Sequence, residues 1–141
     1  MRYTQTATTS APVERLWAAV TDVERWPEWI ETYESVRRNQ PGPLMSGHTA
    51  HVKQKGLAAG DWTVTEFEEG SVFSWESRRA GVRFVGRHAV AAEPSGGSRV
   101  TLSFQASGPL SGLVRLLYGR KVRAYVDIEA ARLAAVAVQV A

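Results

Sequence analysis

Three histidines, fourteen carboxylates and four tyrosines, with no cysteine, are the groups with which this 141-residue chain can do chemistry. Lacking cysteine, it has no disulfides, thiolate zinc sites, iron–sulfur clusters or cysteine nucleophiles. His48 and His51 lie close in sequence, with His88 as a third possible ligand, but residues three apart on a strand point to opposite faces, so no metal site is expected. A serine hydrolase fits no better, because there is no Gly-x-Ser-x-Gly turn and aspartate occurs only at positions 22, 61 and 127. Gly56 to Gly60 lacks the Lys-Ser/Thr that would complete a phosphate loop. What remains is acid–base chemistry by Glu66, His88, Tyr125 and Glu129, each of which the local periodicity sets on an apolar face. A carboxylate in such a place needs a partner or a raised pKa. Glu129 therefore either meets a ligand, acts as a general acid or base, or pairs with an arginine at a cavity rim. His88 is either a satisfied core residue or a ligand contact. None of these readings calls for a cofactor.

The elements that hold these groups follow from punctuation and period. Tyr3 to Thr9 alternates and reads as a strand. Ser10 or Ala11 then caps a short helix with Pro12 in its first turn and Val13, Leu16, Trp17 and Val20 along one side. Asp22 caps a second, which Trp26 ends or kinks because Pro27 pushes its predecessor out of the helical region. Trp26 and Trp29 either guard an opening or pin this helix pair to a longer helix. Strands follow at Tyr33 to Gln40, weakly, and at His48 to Gln54. Asp61 to Phe67 and Val72 to Arg78 form a hairpin, and pairing Phe67 with Val72 sets Trp62, Val64, Glu66, Phe73, Trp75 and Ser77 on one inward face. In the next two strands Phe84, Gly86, His88 and Val90, then Val100, Leu102, Phe104 and Ala106, alternate with polar residues. After Pro109 the period becomes helical from Leu110 to about Ala137, roughly 40 Å at 1.5 Å per residue. Leu110, Leu113, Val114, Leu117, Val122, Tyr125, Ile128, Leu133 and Val136 form its broad, drifting stripe.

Hydrophobic residues at 44% and charged residues at 22% exclude a disordered or fibrous chain, and the length suits a single domain over residues 1–141. Residues 1–69 carry 7 basic against 10 acidic side chains and residues 70–141 carry 10 against 4, so net charges of −3 and +6 sum to +3. The arginines at 78, 79, 83, 87 and 99 are scattered over strand positions and are not gathered on one face with aromatics between them, so no nucleic-acid partner is expected. The basic cluster Gly119-Arg120-Lys121-Val122-Arg123 reads as a solvated helix face, with attraction to an anionic ligand or membrane surface as the alternative. No run approaches the ~18 apolar residues of a membrane span, and no signal peptide opens the chain; no membrane insertion is expected, and cytoplasm is the default location. Oligomeric state is left open.

Ala11-Pro12-Val13-Glu14-Arg15-Leu16-Trp17, Thr21-Asp22-Val23-Glu24-Arg25-Trp26-Pro27-Glu28-Trp29, Trp62-Thr63-Val64-Thr65-Glu66-Phe67-Glu68, Phe73-Ser74-Trp75-Glu76-Ser77, Gly97-Ser98-Arg99-Val100-Thr101 and Arg123-Ala124-Tyr125-Val126 follow in order along the chain. In these segments the sequence resembles the bacterial polyketide cyclase/dehydrase-type branch of the START-like, birch-pollen-allergen-like helix-grip superfamily. The resemblance implies an α+β fold in which a curved antiparallel sheet of about six or seven strands wraps the long C-terminal helix around an apolar cavity. It implies no short catalytic motif. The expected function is binding or carriage of a small hydrophobic molecule, aromatic or polyketide-like, against Trp62, Glu66, Phe73, Trp75, Phe84, His88, Tyr125 and Glu129. The alternatives are a cofactor-independent cyclase or dehydratase using Glu66, His88, Tyr125 or Glu129, and a protein-interaction module with a collapsed cavity. In the first two readings His88 faces Tyr125 and Glu129 across a gap one ligand wide, too far for a direct hydrogen bond.

Overall fold

A computed structural model describes residues 1–139. It runs β1 (Arg2–Thr9), α1 (Val13–Thr21), a 3-10 turn (Val23–Arg25), α2 (Trp26–Trp29), β2 (Tyr33–Arg38), β3 (Thr49–Gln54), β4 (Gly60–Glu68), β5 (Val72–Arg79), β6 (Val82–Ala92), β7 (Ser98–Ser107) and α3 (Ser111–Gln139). The strands form one antiparallel sheet in the order β1-β7-β6-β5-β4-β3-β2, so β1 and β2 are its two edges. This curled sheet gripping α3 is the α+β helix-grip arrangement expected from the sequence. Among the described residues no helix is long and apolar enough to cross a membrane.

Strand alternation holds cleanly in β6 and β7, where His88 pairs with Leu102, Phe84 with Ala106 and Val90 with Val100, all toward α3. It fails twice elsewhere. The β2–β3 register shifts between Tyr33 and Ser35, so Tyr33 and Val36, three residues apart, are both buried while Glu34 and Ser35 are exposed. The β4–β5 register shifts between Val64 and Glu66, so Val64 lies opposite Trp75 and Phe67 opposite Phe73. An extra residue in one strand reverses the facing of everything beyond it. Phe67 therefore packs inward and Glu66 turns out, correcting the inward face read from the hairpin.

The helical segments depart from expectation in two places. Pro12 is the N-cap of α1, without a side-chain cap. Trp26 is helical (φ −53°, ψ −40°) although Pro27 follows it, and it begins α2 instead of ending a helix. Proline is tolerated at that second helical position because its missing N–H would be unpaired in a first turn anyway. The Trp26 indole is wholly buried against Tyr33, Phe73, Trp75 and His88, with ring centroids 5.3–6.4 Å away. It guards no opening, and its packing is mainly on the sheet. The tie to α3 is made by the next turn, where Arg132 Nε donates to the Trp29 carbonyl at 2.8 Å.

Two carboxylates on α3 reach the two edges of the sheet. Asp127 accepts hydrogen bonds from Tyr3 Oη (2.7 Å) and Gln5 Nε2 (3.0 Å) of β1, while Glu129 accepts one from Tyr33 of β2. Toward its start the helix parts from the expected pattern: Leu110, Leu113 and Leu117, part of the apolar stripe, are exposed. Below them Gly108 has φ +111° and sits so close to Gly81 that a Cβ would run into the Gly81 carbonyl, so only glycine lets these two turns pack.

Candidate functional site

Glu129 is a buried carboxylate with both oxygens engaged. Tyr33 Oη donates to Oε1 at 2.6 Å, and His88 Nε2 lies 3.2 Å from Oε2. On the far side of the ring, His88 Nδ1 is 3.3 Å from the Phe73 carbonyl. That carbonyl can only accept, so Nδ1 donates to it, and Nε2 is the ring nitrogen that faces the Glu129 carboxyl. Burial holds the Tyr33 phenol well above its ordinary 10.0, and the neighbouring Glu129 charge and hydrogen bond add to the effect. Tyr33 is thus a donor and not a base at neutral pH. Phe73 stacks on His88 with centroids 4.3 Å apart and planes 10° from parallel, fixing the ring against the sheet.

These groups stand at the inner end of a cavity of about 430 Å³ between the sheet and α3. Trp62, Trp75, Phe84 and Phe104 line the sheet side, and Val122 and Val126 the helix side. From Leu110 at the outer end to Glu129 the cavity follows the helix for about 28 Å at 1.5 Å per residue. The outer end is framed by Leu57 and Ala58 of the β3–β4 loop, the β5–β6 turn at Ala80, and the first turns of α3. Arg79 donates to the Ala59 carbonyl and joins the first two of these segments.

The residues singled out from sequence are therefore distributed unevenly. Trp62, Trp75, Phe84, His88, Tyr125 and Glu129 line the cavity. Glu66 does not: the β4 bulge places it on the outer surface, where it accepts from Ser74 Oγ (2.7 Å) and Arg87 Nε (3.3 Å). Phe73 is fully buried in the core behind His88 and does not line the cavity. Tyr125 is apart from the inner trio, its hydroxyl donating to the Lys55 carbonyl at 2.7 Å. The expected gap between His88 and Glu129 is absent, since the two touch; Glu129 is paired with histidine and tyrosine, and with no arginine. Tyr33 was missed from sequence. Its signal was there: Tyr33 and Val36 are the apolar residues of their strand and stand three apart, a spacing only a bulge reconciles with one face.

Among the described residues no group of three His, Cys, Asp or Glu side chains converges to hold a metal. His51 is spent on Asp61 (2.8 Å) and His48 on Arg38 (3.1 Å).

The curled sheet and α3 thus enclose a cavity with one buried polar cluster at its end, the form of a helix-grip fold, and the sequence places the chain further. The family model described as "Polyketide cyclase / dehydrase and lipid transport" matches residues 1–138, and the chain belongs to that family. No functionally curated protein matches the sequence. A hypothetical protein of Helicobacter pylori superposes with TM-score 0.83 at 11% identity, over 97% of this chain and 88% of that one. The di-domain ARO/CYC BexL, from the BE-7585A biosynthetic pathway, superposes with TM-score 0.73 at 15% identity, over 99% of this chain and 49% of BexL. Ara h 8.0201 does so with TM-score 0.68 at 14% identity, over 99% and 98%. At these identities the likeness is one of fold.

Proposed function

We propose that residues 1–141 act as one ligand-binding domain that encloses a small, largely apolar molecule between the sheet and α3. The observation that carries this reading is the cavity itself, about 430 Å³ with aromatic walls and its buried polar cluster at one end. That volume lies within the range of small-molecule sites, and apolar walls with few oriented polar groups are what such sites have. Burial of the apolar body supplies affinity, while Glu129, Tyr33 and His88 orient a hydroxyl or carbonyl at the inner end. Trp62 and Trp75, with centroids 5.9 Å apart and planes tilted by 43°, offer an angled aromatic wall. A collapsed interaction module does not fit an open cavity of this size.

The 3.2 Å approach of His88 Nε2 to Glu129 Oε2 at the buried end of the cavity favours one second reading, acid–base catalysis on an enolisable carbonyl compound. In it the Glu129–His88 pair takes a proton from carbon beside the carbonyl and returns one to a departing hydroxyl, which leaves as water. Tyr33 holds the carboxylate in place by donating to its other oxygen. Native mass spectrometry of the purified protein, followed by incubation of any retained molecule with fresh protein, tests both. A small molecule retained unchanged supports binding, and its conversion supports catalysis. A protein that retains nothing and leaves the fluorescence of 1-anilinonaphthalene-8-sulfonate unchanged sinks the first reading.

A further inference from the structure

Among the described residues, five of the seven large apolar side chains that are exposed fall between 110 and 118, on the opening turns of α3. Leu116 is the extreme, 80% exposed and off the cavity wall. Leu113 and Leu117 are exposed and also border the cavity mouth. At about 100° per residue, Leu113, Leu116 and Leu117 share one face, and Arg120, Lys121 and Arg123 fall on or beside it within the next two turns. None of these three bases is in an ion pair among the described residues. No acidic residue occurs between Glu93 and Asp127.

We propose that this face docks on anionic lipid bilayers, with Leu113, Leu116 and Leu117 entering the acyl boundary and Arg120, Lys121 and Arg123 meeting lipid phosphates. A leucine left in water forfeits the free energy of burial, and a clustered set with a basic border has the pattern of an interfacial helix, which lies in the membrane surface without crossing it. Charge decides against a symmetric pairing of this face with a second copy. Such a pairing would set bases against bases with no carboxylate from this segment to offset them. Because the docked leucines border the cavity mouth, an apolar guest can pass between bilayer and cavity without crossing bulk water. The docking itself stands on the exposed face and does not need the cavity to bind anything.

Sedimentation with phosphatidylcholine vesicles, with and without about one-third phosphatidylglycerol, tests it. The full chain is expected to sediment with the anionic vesicles, to remain in solution with phosphatidylcholine alone, and to be released by salt near 1 M, where charges are screened beyond ~3 Å. Leu116→Glu should weaken partitioning by roughly tenfold or more, and Arg120→Ala and Lys121→Ala by roughly fivefold each. Leu116 lies outside the cavity wall, so Leu116→Glu should keep wild-type melting and dye binding. Failure of the wild type to sediment with anionic vesicles overturns the proposal, as does binding that all three variants retain. A concentration-dependent dimer that Leu116→Glu abolishes, with no vesicle binding, overturns it in favour of self-association.

Discussion

The Tyr33 hydroxyl, on an edge strand, and Glu129, 96 residues later on α3, are joined by a 2.6 Å hydrogen bond in the buried interior. It is made at the point where a bulge turns Tyr33 inward, and it leaves the other carboxylate oxygen to His88. Replacing the carboxylate separates its structural from its chemical part. In Glu129→Gln the amide oxygen still accepts from Tyr33 and the isosteric side chain keeps its packing beside His88, so folding stability should stay within about 1 kcal/mol of wild type. Glu129→Ala leaves the buried Tyr33 hydroxyl without its acceptor and opens a void beside His88, and should cost about 2 kcal/mol or more. Urea unfolding of the two variants reads the difference.

Alkaline pH should weaken the fold through Tyr33. Unfolded, the phenol ionises near 10.0, whereas in the folded protein burial and Glu129 hold it protonated well beyond that. Above pH 10 the native state therefore binds more protons than the unfolded state. Stability, complete below that pH, falls as pH rises toward the folded-state value, by about 1.4 kcal/mol per unit for one proton. Tyr33→Phe removes this contribution, and its stability measured from pH 9 upward should decline less steeply than that of the wild type.

Trp26 is the keystone beneath the cluster. Trp26→Ala removes a fully buried indole that touches Tyr33, Phe73, Trp75 and His88, and should cost about 3–5 kcal/mol, as large-to-small core changes do. A loss under 1 kcal/mol in chemical denaturation would mean that this packing is not as described.

Gly86 lines the cavity within a regular stretch of β6, and a Cβ there would meet Trp75 Nε1 at 3.4 Å, an ordinary contact. Gly86→Ala should therefore raise stability by about 0.4–1 kcal/mol through the unfolded chain. The larger Gly86→Val intrudes on the cavity and should lower affinity for an apolar dye while the melting temperature does not fall. Dye titration beside thermal melting checks both.

The sequence was readable wherever one period governed an element. In β6 and β7, strict alternation placed Phe84, His88, Leu102 and Phe104 correctly, and the wheel of α3 placed Glu129 toward the sheet. Reading failed where an inserted residue broke the period. The bulge before Glu66 took a residue expected in the cavity to the outer surface, and the one after Tyr33 brought an unexpected one to the cavity wall. The start of α3 misled for another reason: an apolar stripe says which side of a helix avoids water but not what covers it, and Leu113 and Leu117 overhang the cavity mouth. The distance between His88 and Glu129 was beyond reach, because it depends on how tightly the sheet curls.

The edge ties of Asp127 and Glu129 bear on that curl. A closed barrel has a girth set by its unbroken ladder of backbone bonds. Here β1 and β2 never pair, and three side-chain hydrogen bonds from the edge strands to these two α3 carboxylates help span the gap. The molecule is an open hoop with a clasp. Widening the interior breaks no inter-strand bond; it strains or releases links worth about 1 kcal/mol each, so the upper size of a guest is set at the clasp more than by the wall.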